Sequence, residues 1–257
     1  MTVNTTALTY NGYITQIATM AVVETQTVSG VVSGVDDAFN TLVPQMLNYA
    51  ELRIQRDLDL LPSVTEKSTY SLTLGSNALR ISTSDFVTID TLRVMAGTSK
   101  IPILPVSKEY LQNIYGDPSY VGLPVFFAMI GGDAATGGAL YNNIVFGPYP
   151  DQPYPLSITG TQRLPTLYQF ANTANAATKT TFISTYLPDL LIMASLIYIS
   201  AYQRNFGRMS DDPAMAQSYE GQYQVLKQSA IQEEYRKKFA ASAWSSLSTS
   251  PAATPTR

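Results

Sequence analysis

The 257-residue chain contains no cysteine and no histidine, and that absence decides what chemistry its other reactive side chains could do. Thiolate nucleophiles, disulfides, histidine-dependent triads and thiolate or imidazole metal sites are excluded. Two carboxylate pairs remain, Asp211-Asp212 and Glu233-Glu234. Paired acids serve glycoside hydrolysis when they face each other across a bond, but adjacent residues on a helix point in different directions. Asp212-Pro213 reads instead as a helix start, a capping carboxylate followed by proline where no amide hydrogen is needed. Glu233 and Glu234 stand four residues before Lys237 and Lys238, the spacing of helix-surface ion pairs. Ser195 lies in an apolar run with no histidine to activate it and reads as a small packing residue. The glycine pairs Gly131-Gly132 and Gly137-Gly138 invite a phosphate cradle, yet strand-like sequence flanks both, so no helix N-terminus faces an anion. These residues assemble no catalytic, metal or cofactor site, and the chain reads as a non-enzyme.

Composition points toward contact rather than catalysis. Apolar residues make up 45% of the chain and charged residues only 14%, against ~25% in ordinary globular domains. Seventeen tyrosines help fill the gap, and tyrosine offers rigid area with a polar tip. The formal charge is −3. No basic cluster exceeds Arg236-Lys237-Lys238, which argues against a sequence-specific nucleic-acid reader. The amino-terminal residues lack the basic and apolar regions of a secretion signal.

The elements that must position these residues fall into two kinds. Tyr10 to Met20 can form a short helix, and Thr25 to Gly34 (TQTVSGVVSG) reads as a flexible polar linker. Phe39, Val43, Met46, Ala50, Ile54 and Leu58 recur at helical spacing from about Asp37 to Leu60, with Pro44 either kinking the helix or marking a restart. Its outer face is assigned Glu51, Arg53, Gln55, Arg56 and Asp57. From Lys67 to about Leu164 the period falls to two, as in half-buried strands. Pro102 and Pro105 put residues 100–106 on a sheet edge, and Ser107 caps a short helix ending at Gly116. Leu187 to Tyr202 is apolar all round but falls short of the ~20 residues of a membrane span, so protein must enclose it. Gly207 is expected to end that helix and Asp212-Pro213 to begin a long Tyr- and Gln-rich one. Residues 240–257 are low-complexity, with Trp244 and Leu247 as their large apolar side chains.

The expected class is α+β: a helical core with an inserted antiparallel β sandwich or open barrel. The expected divisions are 1–66 for the N-terminal segment and first helices, 67–166 for the β insert, 167–239 for the helix hairpin and 240–257 for an extended tail.

Seven segments resemble head-to-tail adaptor (connector) proteins of tailed bacteriophages, of the short-tailed type. They are LVPQMLNYAELRIQRDLDLL (42–61), SDFVTIDTLRV (84–94), LPVFFAMIGG (123–132), FGPYPDQPYPLSITGTQRLPTL (146–167), TTFISTYLPDLL (180–191), YQRNFG (202–207) and DDPAMAQSYEGQYQ (211–224). The resemblance implies a virion protein of the phage neck, made in the host cytoplasm, with no membrane contact. It also implies a ring of twelve-fold symmetry between portal protein and tail nozzle protein, through which double-stranded DNA passes without sequence-specific binding. Glu51, Arg53, Arg56, Asp57, Tyr219 and Tyr223 become candidates for the helical core and inter-subunit contacts. Arg236, Lys237, Lys238, Trp244 and Leu247 become candidates for portal docking. Competing readings are another tail structural protein, such as a nozzle component, and a carbohydrate-binding β module.

Overall fold

The computed structural model describes residues 7–21, 23–34, 37–134, 140–171, 173–205 and 215–241. The class is α+β, and the chain divides into two compact units, Met1–Leu61 with Pro165–Arg257 and Pro62–Leu164. The predicted helix-ending role of Gly207, the Asp212-Pro213 helix start, loop residues 135–139, Trp244 and Leu247 all lie outside the described residues.

The first unit begins with helix α1 (Tyr10–Met20), capped by the Thr9 side chain, which accepts from the Gly12 amide. Strands β1 (Thr25–Val28) and β2 (Val31–Gly34) follow as an antiparallel hairpin, where a flexible linker is expected from the sequence. The turn between them explains the difference. Ser29 and Gly30 both have positive φ, 53° and 80°, which gives the twist that a two-residue hairpin requires. Asn11 pins this turn from α1: its Nδ2 donates to the Gly30 carbonyl (2.7 Å) and its Oδ1 accepts from the Val32 amide (3.1 Å).

Helix α2 (Asp37–Asp57) runs unbroken through Pro44. Near its start the Asn40 side chain makes two 2.7 Å bonds to the backbone of Gly34. Phe39, Val43, Leu47, Ala50, Ile54 and Leu58 form the buried stripe. The carboxy-terminal helices are α4 (Phe182–Tyr186), α5 (Pro188–Asn205) and α6 (Met215–Ala241). A reciprocal cap between Thr181 and Ser184 starts α4. Pro188 opens α5, where its missing N–H goes unused. Helix α5 packs against α1, α2, α4 and α6, the enclosure its all-round apolar sequence demands. Ser195 is buried within it and donates to the Leu191 carbonyl at 2.7 Å.

The second unit holds β3 (Val64–Lys67), β4 (Ser71–Leu72), β5 (Ala78–Ser82), β6 (Thr88–Ala96), β7 (Ser99–Pro105), helix α3 (Lys108–Tyr115), β8 (Val121–Gly122), β9 (Phe126–Ala134), β10 (Leu140–Gly147), β11 (Tyr149–Pro150) and β12 (Tyr154–Thr161). Its main sheet is a single curled one in the order β3-β12-β6-β7-β9-β10-β5, with β4 also on β12. Leu72, Ile81, Leu92, Val94, Phe146 and Leu156 contribute to its core.

Strand β7 lies inside this order, not at the edge that its prolines suggest. Successive strand amides point to opposite sides. Leu104 and Val106 donate to the Val125 and Phe127 carbonyls of the β9 side. The nitrogen of Pro102 therefore faces the β9 side before pairing there begins, at Leu104. The nitrogen of Pro105 faces the β6 side after pairing there has ended, at Ile103. Each proline falls where no ladder donor is required.

Candidate assembly surface of the helical unit

The charged residues that α2 offers are taken up largely within the helical unit. Glu51, assigned to the outer face from sequence, is 0% exposed. Its Oε1 accepts from the Leu167 amide at 2.6 Å and its Oε2 from the Tyr168 amide at 3.2 Å. Those residues begin a 3-10 turn, Leu167–Phe170, whose own capping residue Thr166 supplies no side-chain bond. Glu51 thus supplies, from α2, the acceptors that an N-cap normally provides. Burial raises its pKa to about 7, although the two amide bonds pull the other way. The signal was in the spacing: residues 47, 51, 54 and 58 share one helical stripe.

Two residues on, from another side of α2, Arg53 reaches α6. Its two terminal nitrogens bond both oxygens of Glu220, at 2.9 and 2.6 Å, a two-pronged geometry that lysine cannot reproduce. The guanidinium also lies 4.2 Å from the centre of the Tyr223 ring. The bond to Glu220 raises the Arg53 pKa, and the bond from Arg53 lowers that of Glu220. Tyr223 is fully buried and donates through its hydroxyl to Asp57 at 2.9 Å, while Lys227 approaches the same oxygen at 3.5 Å. Burial above all raises the Tyr223 pKa, and the bond to Asp57 adds to it.

Near the carboxy-terminal end of α6, the buried Glu234 accepts through its Oε2 from the Leu61 amide at 2.9 Å. Lys237 pairs with Glu233 at 2.6 Å and Glu234 at 2.8 Å, and Lys238 pairs with Asp59. Lys237 has a raised pKa, first through Glu233 and then through Glu234. The sequence spacing anticipates the Glu233–Lys237 pair, but neither the backbone capture by Glu234 nor the partnership of Lys238 with α2's end.

The structure therefore gathers Arg53, Asp57 and Tyr223 into one network and sets Glu51 apart in the interior. Arg56 stays exposed, its Nε donating to the Leu52 carbonyl at 3.2 Å. Tyr219 is half-buried and Arg236 exposed. Sequence reasoning missed Glu220 and Lys227, whose partners lie far away along the chain. It read Glu234 as a surface partner of Lys238, whereas Glu234 is buried against the Leu61 amide and Lys237, and Lys238 goes to Asp59.

Outward from this network, α6 presents a face with few charges. Glu220 and Lys227 turn toward α2, which leaves Ser218, Gly221, Gln222, Val225, Gln228, Ser229 and Gln232 exposed. Val225 is 72% exposed. No described helix is long and apolar enough to cross a membrane, and no metal-holding cluster forms among the described residues. Cavities among the described residues include one of about 150 Å³ beside Asp57, Glu234 and Tyr235, and one of about 230 Å³ beside Leu111, Tyr115 and Phe146 in the β unit. Both fall below the roughly 300–1,000 Å³ usual for small-molecule sites, so the helical surface is the stronger functional candidate.

A comparison with curated proteins finds no match. A family model described as SU10 adaptor protein matches residues 9–253, spanning both units.

Proposed function

The chain belongs to the SU10 adaptor protein family, a family of structural phage adaptors, and on that premise we propose that it builds a ring in the virion neck. The ring, of twelve-fold symmetry, sits between portal protein and tail nozzle and extends the channel through which double-stranded DNA leaves the head. The chain's work is to join and to conduct, without catalysis or cofactor. The observation that carries this reading is the family match along almost the whole chain. The low charge content supports it, because a weakly acidic lining lets phosphates slide without gripping them.

Within the ring, Glu51, Arg53, Asp57 and Tyr223 hold the helical unit together, while Arg56, Tyr219 and the uncharged face of α6 meet neighbouring copies. Arg236, Trp244 and Leu247, with Lys237 and Lys238, dock on the portal. Obligate contacts of this kind typically bury about 2,000 Å² or more.

The test is electron microscopy and co-sedimentation of the purified protein with portal rings. A coaxial ring stacked on the portal is the expected result, and particles with no ring overturn the adaptor reading. A chain ending at residue 239 is expected to keep its circular dichroism spectrum and lose attachment. Undiminished co-sedimentation of that chain refutes tail-mediated docking.

A further inference from the structure

Among the described residues, Glu51 is a buried carboxylate with no cation beside it. Its side chain is fully enclosed, and its two described partners are backbone amides of Leu167 and Tyr168. The described side chains packed around it offer no compensating charge. Helix α1, the turn at 167–170 and helix α4 contain no charged residue at all. Of α5, Asp189 is exposed and of the same sign, and Arg204 stands at the carboxy-terminal end of the helix, its side chain outside the described residues. On α2 itself, Arg53 is committed to Glu220 and Tyr223. The titratable neighbours are tyrosines. Tyr13, fully buried on α1, feels the charge of Glu51, and Tyr10 feels that of Tyr168.

The clasped turn matters because it opens the stretch by which the chain re-enters the helical unit after residue 164. The same stretch is tied to the α1 end by the Leu8 amide on the Ser184 carbonyl (3.0 Å) and the Asn11 amide on the Ala176 carbonyl (3.1 Å). Glu51 is its described side-chain tie to α2.

We propose that Glu51 is a proton-responsive clasp: as a carboxylate it grips both amides of the returning chain, and as a carboxylic acid it releases one of them. The acid form keeps one good acceptor, its carbonyl oxygen. The other oxygen becomes a hydroxyl and a poor acceptor, so one amide loses its partner. Burial favours the neutral form, and the amide bonds favour the ion. The balance lies close to physiological pH, at about 7, so modest changes in acidity move the population between the two grips. The folded-state value is raised above the unfolded one. The associated stabilisation is therefore complete below the unfolded value and is lost as pH rises through about 7. Acidification tightens the fold as a whole while it loosens one bond of the clasp.

The test uses the full chain and nuclear magnetic resonance. The Glu51 side-chain carboxyl resonance is expected to titrate near neutral pH, and the amide shifts of Leu167 and Tyr168 are expected to follow with the same midpoint. In parallel, the folded-to-unfolded ratio of the wild type is expected to rise about tenfold from pH 8 to pH 6, and that dependence should disappear in Glu51→Gln. A Glu51 midpoint in the ordinary carboxylate range overturns the proposal. So do amide shifts at 167 and 168 that ignore the titration, or an unaltered pH slope in a folded Glu51→Gln variant. If that variant does not fold, the wild-type titration alone decides.

Discussion

Arg53 and Glu220, 167 positions apart in the chain, are joined by two hydrogen bonds across α2 and α6, with the Tyr223 ring lying against the guanidinium. This pair connects the amino-terminal and carboxy-terminal portions of the helical unit. Replacing Arg53 by lysine removes the paired geometry and the stacking while keeping the charge. The expected loss is about 1 kcal/mol of stability. Chemical denaturation of Arg53→Lys, Glu220→Gln and the double variant checks it; additive single effects would mean the two residues are not coupled.

Gly160 marks a place where the sheet admits no side chain. A Cβ there would stand 2.2 Å from the Thr88 carbonyl oxygen and 2.9 Å from the Phe86 ring, beside the irregular pairing at Thr159–Gly160. Gly160→Ala is expected to lower stability by about 1–3 kcal/mol. A thermal melt matching the wild type would contradict the close approach.

Ile54, fully buried on α2, tests the helical core. Ile54→Ala removes three carbons from a packed site, and about 2–5 kcal/mol should be lost. Urea titration would show this as an earlier midpoint with unchanged slope.

Acid sensitivity in the β unit is expected to centre on Asp85. Its oxygens accept from the Tyr70 hydroxyl at 2.6 Å and from Lys67 at 2.9 Å. Tyr70 first, then Lys67, lowers its pKa. A lowered folded value places the stabilisation above the unfolded value and removes it as pH falls through the folded one. The Asp85→Asn variant should therefore lose less stability than the wild type on acidification below about pH 4. Equal acid profiles for the two proteins would exclude Asp85.

Val225 offers a test of ring assembly that spares the fold. It is the most exposed large apolar side chain among the described residues. Val225→Glu should leave the melting curve of the free chain unchanged and reduce ring formation severalfold, measured by sedimentation velocity in the presence of portal. Full assembly by this variant would remove the outward face of α6 from the contact.

Much of the architecture was legible where a local pattern decides it. The stripe through Phe39, Val43, Ala50 and Ile54 gave α2, and the apolar run after Pro188 gave an enclosed helix. The hairpin at Thr25–Gly34 was missed because its signal is the conformation of Ser29-Gly30, not hydrophobic alternation. The interior place of β7 was missed because proline excludes a ladder bond only on the side where one would form. Within the candidate site, Arg53 and Asp57 were identifiable from α2, but their partners Glu220, Tyr223 and Lys227 are chosen by tertiary packing. Glu51 was misplaced because its carboxylate sits on the buried stripe, where a charge is expected only if something specific receives it.

Helices α1 and α2 are read from the message before the β unit, and α4, α5 and α6 after it. On the ribosome the amino-terminal helices emerge with their apolar stripes uncovered, and their carboxy-terminal partners exist only after the whole β unit has been translated. The β unit, complete by residue 164, can acquire its structure during that wait. Premature termination before α6 would thus leave a chain with a finished sheet and greasy helices, a natural target for chaperones and proteases.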